Sequence, residues 1–268
     1  MYNSSMPRAG STLIQNILGQ NPEIYASPTS GIYDMIYNSR LVYSNGPEFK
    51  AQDSSIMEEA WKGYCRGAIY GYYSSITDRP YVIDKCRGWN GEKNFIEFFD
   101  GPPKIICMIR DPRAVYASLE KKYRANPQTD HGIVNWGEMS GTTTDKRIIH
   151  WSSNLPIGPT MDRIYQVMLD GTHEDILFIK FEELTKNPKR EMERIYEYLE
   201  LPFYEHDFDN VEQITHEDDK VFGVFGDHKI RQKVSPVEED FREILGPSGC
   251  KLLTDNYAWF YDAFEYKI

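Results

Sequence analysis

Met6-Pro7-Arg8-Ala9-Gly10-Ser11-Thr12-Leu13-Ile14 puts a proline, a glycine and two hydroxyl residues directly before apolar positions at Leu13, Ile14, Ile17 and Leu18. Those apolar positions recur at helical spacing, so the stretch reads as a tight turn opening a helix. Gly10 can adopt the backbone angles such a turn needs, and Ser11 and Thr12 offer hydroxyls where the first helical N–H groups lack partners. Backbone donors, hydroxyls and the positive end of the helix dipole then converge, with the planar fork of Arg8 beside them. An ordinary N-cap explains a hydroxyl pair alone. Arginine, glycine and the pair together point to a cradle for phosphate or sulfate. The loop is shorter than a Walker P-loop and no lysine follows Gly10, so a magnesium-dependent kinase or ATPase fits poorly.

Whole-chain numbers bound what surrounds this loop. With 268 residues, 40% of them hydrophobic and 14% aromatic, one α/β domain with a substantial core is expected over the full length 1–268. A net charge of −11 argues against a broad basic surface for nucleic acid, so an anionic ligand must be met by local cations. Cys65, Cys86, Cys107 and Cys250 are widely spaced, which suits buried thiols in a reducing compartment and speaks against a zinc site. No apolar run is long enough for a bilayer and no signal-peptide pattern opens the chain; the expectation is a soluble cytoplasmic protein without a membrane partner. Only Met1 to Met6 precede the loop, so a first strand there would be short and polar.

Beyond the loop the pattern alternates. A short strand is expected at Glu23 to Ser27, a helix over Ile32 to Val42, and a long amphipathic helix over Ser54 to Ile76 with a capping box at Ser55 to Glu58. The tyrosine-rich stripe of that helix reads as core packing. Tyr81 to Lys85, Lys104 to Ile109 and Ile176 to Phe181 are short apolar runs separated by helical stretches, the signature of a parallel sheet flanked by helices. Ligands bind such sheets at the carboxyl ends of the strands. Two of those ends carry charge: Asp84-Lys85, and Arg110-Asp111-Pro112-Arg113. Asp111 and Pro112 suit the start of a helix, but an arginine closing an apolar strand asks for an anion, with Ser118 two turns on as a neutral donor.

Together these motifs resemble those of sulfotransferases that use 3′-phosphoadenosine 5′-phosphosulfate (PAPS). Pro7-Arg8-Ala9-Gly10-Ser11-Thr12 is similar to the family's 5′-phosphosulfate loop. Ile109 to Ser118 looks like its 3′-phosphate motif, including the tyrosylprotein sulfotransferases. Trp151, Phe181 to Leu184, Leu199 to Pro202 and His228 to Val234 follow the order of bacterial members. Ser27-Pro28, Arg87-Gly88-Trp89 and Phe208 to Glu212 resemble an uncharacterised bacterial group. The resemblance implies a single P-loop-like three-layer sulfotransferase domain. It also implies metal-free, in-line transfer of a sulfuryl group from PAPS to an acceptor hydroxyl or amine, with 3′-phosphoadenosine 5′-phosphate (PAP) as product. Arg8, Ala9, Gly10, Ser11 and Thr12 would hold the 5′ side, and Arg110, Ser118 and Lys122 the 3′-phosphate. Arg231 and Lys233 would reach in from a loop folding over the nucleotide. Lys85 falls where the family places its catalytic lysine, and Lys85 and Arg8 would meet the charge growing on the leaving bisphosphate.

The acceptor also needs a base. Where tyrosylprotein sulfotransferases have a glutamate after the first strand-helix unit, this chain has Pro28-Thr29-Ser30, and Phe181 stands where they use a tyrosine. Asp34, Asp84, His131 and His150 are the candidates, with Asp34 carried into the catalytic set beside Lys85 and Arg8. His173 and His206 lie in polar segments and read as surface residues. The run Glu205 to Asp219 reads as a solvated acidic face, Asn126 to Lys146 as a mobile loop, and Cys250 to Phe264 as an aromatic amphipathic helix. The acceptor is expected to be a small molecule or peptide. Two other functions remain open: a nucleotide kinase-like phosphotransferase, and a nucleotide-binding module without catalysis.

Overall fold

The computed structural model describes residues 1–90, 103–125, 141–238 and 240–268. Its centre is a five-stranded, wholly parallel sheet in the order β2-β3-β1-β4-β5. The strands are β1 (Tyr2–Asn3), β2 (Ile24–Thr29), β3 (Tyr81–Lys85), β4 (Ile105–Ile109) and β5 (Ile176–Lys180). The expected short first strand is therefore the middle strand. Its backbone continues to pair with β4 beyond the strand proper, Ser4 N donating to Ile106 O at 2.9 Å and Met6 N to Met108 O at 2.9 Å. Asn3, Ser4 and Ser5 are buried there, and their polarity is absorbed internally: Asn3 Nδ2 donates to Ser11 O at 3.1 Å and Gln15 Oε1 at 3.2 Å.

Helices α1 (Ser11–Leu18), α2 (Ile32–Asn45), α3 (Pro47–Lys50) and α4 (Ser54–Ser74) follow the first two strands, and α5 (Pro112–Ala125) opens after β4. After these come α6 (Thr144–Ser153), α7 (Gly158–Leu169), α8 (Phe181–Lys186), α9 (Pro188–Leu199), α10 (Phe241–Asn256) and α11 (Ala258–Ala263). The N-cap of α4 is Asp53, whose carboxylate accepts from Ser55 N and Ile56 N, so the cap sits ahead of the expected box. Of its aromatic stripe only part is core: Trp61, Cys65 and Tyr73 are buried, whereas Tyr64 and Tyr72 are exposed. The expected 126–146 loop falls mostly outside the described residues, and its last part starts α6, capped by Thr143. The C-terminal helix begins earlier than expected, at Phe241, and is kinked at Gly246 before α11. Among the described residues no helix is long and apolar enough to cross a membrane.

Because all five strands run the same way, their carboxyl ends share one edge. Thr29, Lys85, Arg110 and Phe181 end or follow β2, β3, β4 and β5 there, beside the loop that leaves β1.

Candidate active site

The loop after β1 is built around two left-handed residues, Arg8 (φ 61°) and Gly10 (φ 86°). A side chain at Gly10 would lie 2.7 Å from the Phe181 ring, so both conformation and space call for glycine. Gly10 is the N-cap of α1 and no side chain caps that end. The first N–H groups of α1 therefore have no side-chain cap, unlike those of an ordinary N-capped helix. Arg110 joins from the end of β4: its Nη1 donates to Arg8 O at 2.9 Å and its guanidinium lies 4.7 Å over the Phe181 ring. Arg8 reaches α5, where its Nε donates to Ser118 Oγ at 3.0 Å. The two anion motifs thus meet side chain to backbone, although more than a hundred residues separate Arg8 from Ser118.

Strand alternation sends Asp84 and Lys85 to opposite faces of β3. Asp84 turns into the core, where Tyr73 OH and Trp89 Nε1 donate to its carboxylate and burial pushes its pKa up. Lys85 turns toward the loop, with Nζ 3.3 Å from Thr12 Oγ1.

Facing this basic wall is an acidic one supplied by the connection between α9 and α10. That connection folds back on itself, Val211 N pairing with Gln232 O at 2.7 Å and Val234 N with Phe208 O at 2.8 Å. Asn16 of α1 anchors its turn, its carboxamide oxygen accepting from Ile214 N at 2.6 Å and Thr215 N at 3.0 Å. Glu217 then pairs with Lys85 at 2.8 Å, both side chains under 10% exposed, and its other oxygen accepts from Thr29 N at 2.7 Å. Asp227 pairs with Arg8 at 2.6 Å and Lys122 at 3.0 Å. His228 places Nδ1 2.7 Å from Asp219 and Nε2 3.6 Å from Glu217. Burial alone would raise the Glu217 and Asp227 carboxyls; Lys85 in one case, Arg8 and Lys122 in the other, more than offset it and hold both below their ordinary values. Burial pulls Lys85 down, opposed by Glu217.

Between the two walls lies a cavity of about 390 Å³. Arg8, Gly10, Ser11 and Thr12 line one side, Arg110 and Ser118 another, and His228, Arg231 and Lys233 the acidic connection's side. That size suits a small-molecule site.

The model of the family described as "Sulfotransferase domain" matches residues 93–244, more than half of the chain. The chain belongs to the sulfotransferase family. Solved sulfotransferase domains share its fold. That of the Synechococcus PCC 7002 olefin synthase superposes with a TM-score of 0.57 at 17% identity, covering 100% of this chain and 94% of its own. That of the curacin biosynthetic pathway gives 0.56 at 15% identity, covering 96% of each. STF9 of Mycobacterium avium gives 0.53 at 13%, covering 100% of this chain and 77% of its own. No curated protein matches the chain in sequence.

Within this sulfotransferase domain the sequence candidates separate. Arg8, Gly10, Ser11, Thr12, Arg110, Ser118, Arg231 and Lys233 line one cavity, Ala9 is buried behind the loop, and Lys122 reaches the same Asp227 carboxylate as Arg8. Lys85 stands at the loop through Thr12. Asp34, exposed in the first turn of α2, and His150 on α6 do not line the cavity, Asp84 is consumed in the core, and His131 lies outside the described residues. Two expectations need correcting. His206 is a buried residue packed among Tyr196, Phe203, Tyr204 and Phe208, and burial pushes its pKa down to about 4. The Glu205 to Asp219 run is not a uniformly solvated face, because Glu217 is sequestered against Lys85. Glu217, Asp219, Asp227 and His228 were the residues missed as site residues. Their one local signal was a crowding of acids beside basic residues at 229–233, which also fits a solvated loop.

Proposed function

We propose that this sulfotransferase-family chain transfers a sulfuryl group from PAPS to a hydroxyl or amine acceptor, without a metal. The observation that carries the reading is the meeting of Arg8, Arg110 and Ser118 around an uncapped helix start. A donor with phosphates at both its 5′ and 3′ positions needs two anion sites within one nucleotide's reach, and this cluster offers both. Asp227 supports it further, since a carboxylate drawn between Arg8 and Lys122 marks a spot where negative charge is favoured.

On this reading the N–H groups of α1 and the hydroxyls of Ser11 and Thr12 take the 5′-phosphosulfate, and Arg110, Ser118 and Lys122 take the 3′-phosphate. Arg231 and Lys233 add charge from the acidic connection's side. Phe181, already covered by Arg110, offers a flat apolar surface to the nucleoside. As the sulfur–oxygen bond breaks, charge collects on the leaving phosphate, and preorganised donors aimed there lower the barrier. Lys85 and Arg8 are the donors for that oxygen.

Titration calorimetry with PAP, with and without magnesium, followed by transfer from ³⁵S-labelled PAPS to an alcohol and phenol panel, tests the reading. Metal-independent PAP binding with label transfer is expected. Preference for magnesium–ATP would favour a kinase-like phosphotransferase. PAP binding without transfer or donor hydrolysis would favour a module without catalysis.

A further inference from the structure

Sulfuryl transfer to an alcohol needs a group that removes the acceptor proton as the new bond forms, because a neutral hydroxyl is a weak nucleophile. Of the carboxylates and imidazoles singled out in the sequence, Asp34, Asp84 and His150 do not line the cavity. Glu217 is buried directly behind the lining, next to the lining residue His228 and joined through Lys85 to the lining residue Thr12. Its Oε2 is 2.8 Å from Lys85 Nζ, and Lys85 Nζ is 3.3 Å from Thr12 Oγ1 in the first turn of α1. Its Oε1 is fixed by Thr29 N at 2.7 Å at the end of β2. On its remaining side is His228, a cavity residue, with Nε2 3.6 Å away and Nδ1 held 2.7 Å from Asp219. A carboxylate aligned by a backbone N–H and a lysine, backed by an imidazole and a second carboxylate, is the arrangement of an oriented base.

We propose that Glu217 is the general base that deprotonates the acceptor, with Asp219 and His228 as positioning residues behind it. The inference rests on the PAPS-dependent reading above. In the step, the acceptor O–H proton passes to a Glu217 carboxylate oxygen while the acceptor oxygen bonds to sulfur. The bond from sulfur to the 5′-phosphate oxygen breaks, its electron pair stays on that phosphate, and PAP leaves with the added charge. Lys85 links the two halves. While it pairs with Glu217 it keeps the carboxylate ionised and weakly basic. As it turns to the leaving oxygen, Glu217 loses the cation that offsets its burial, and its affinity for a proton rises as the acceptor releases one. A purely structural tether between the acidic connection and the sheet would hold the same pair of residues together without this dependence on acceptor acidity.

Glu217→Gln and Glu217→Asp separate the two. Glutamine keeps the shape and can still accept from Thr29 N. Aspartate keeps the charge opposite Lys85 and so guards against a variant that fails to fold. The full chain is first titrated with PAP. Label transfer from PAPS is then measured to water (as sulfate release), aliphatic alcohols and phenols of rising acidity, ending with 4-nitrophenol. PAP affinity within about threefold of wild type is expected. For water and alcohols Glu217→Gln should lower kcat about 10²- to 10³-fold, the range of a lost general base. The loss should shrink to less than about tenfold for 4-nitrophenol, already ionised at pH 8. Glu217→Asp should show the same trend with smaller losses. A loss uniform across the acceptors, a loss of PAP affinity equal to the loss of turnover, or unchanged turnover would overturn the assignment of Glu217 alone. If the wild-type chain does not bind PAP, or binds it and neither sulfates the panel nor releases sulfate, the transferase reading itself fails.

Discussion

The basic wall of the cavity and its acidic wall come from differently organised parts of the chain. The basic wall is attached to the sheet: Arg8 and Gly10 leave β1, Lys85 ends β3, and Arg110 ends β4. The acidic wall hangs on an irregular connection between α9 and α10, held by Asn16, by its own cross-pairing, and by ion pairs of Glu217 and Asp227 with those cations. A wall rooted in strand ends keeps its shape whatever faces it, while the opposite wall owes much of its place to charge. The parallel sheet sets where cations stand, and those cations in turn recruit the acids.

The largest expected effect falls on the residue the two walls share. Lys85→Met should lower turnover about 10²- to 10³-fold, as for a lost donor to a developing anion, while PAP affinity changes far less. It also leaves Glu217 buried without its cation, at a cost of about 3–5 kcal/mol in stability. Thermal melting of Lys85→Met, with and without Glu217→Gln, checks this. Recovery of stability in the double variant supports charge as the tie, and additive losses would break the comparison.

His206, at the base of the acidic connection, probes that wall independently. Its folded pKa of about 4 lies below the ordinary 6.5, so the unfolded chain binds the extra proton first. Stability is then full above 6.5 and falls as the pH drops toward 4, by roughly 3 kcal/mol. Denaturant melts of His206→Phe should lack that component. An identical pH profile in the variant would remove His206 from the acid response.

On the basic wall, Arg110→Ala should weaken PAP binding by about 10- to 100-fold, from the 1.5–3 kcal/mol typical of a charged hydrogen bond. Calorimetry gives the value, and unchanged affinity would separate β4 from the nucleotide site. The smallest effect is expected for Asp227→Asn. The half-exposed Asp227 competes with an incoming phosphate for Arg8 and Lys122, so its neutralisation should tighten PAP binding about two- to fivefold, more at low salt. Weaker binding would make Asp227 part of the binding wall, where it now reads as a counterion.

How far the site was legible follows the same division. Gly10 between Arg8 and two hydroxyl residues, and Arg110 closing an apolar run, are patterns whose meaning is local: a left-handed turn, a helix start, a charge at a strand end. Glu217 carries no local mark. Its neighbours Asp218 and Asp219 make it one acid among several, and only the approach of Lys85, 132 residues earlier in the chain, distinguishes it. His206 differs, because Phe203, Tyr204 and Phe208 stand within three residues of it in sequence, and it is their folding together with Tyr196 of α9 that buries an imidazole flanked by the polar Glu205 and Asp207. Asp84 shows the reverse error: beside Lys85 it looked chemically available, and the pleat turned it into the core.

The sequence by itself determined the alternating layers, the parallel strands, the anion loop and the second basic strand end, because each depends on contacts within a few residues or on periodicity. The tertiary structure alone decided that a two-residue polar strand lies at the sheet's centre, that the two anion motifs are tied by Arg8 to Ser118 and by Arg110 to the Arg8 carbonyl, and that a buried carboxylate confronts the candidate catalytic lysine. Those outcomes depend on which distant segments share a low-dielectric neighbourhood, where an unpaired charge is costly and a paired one is fixed in place, and that sharing is set by the packing of the whole chain.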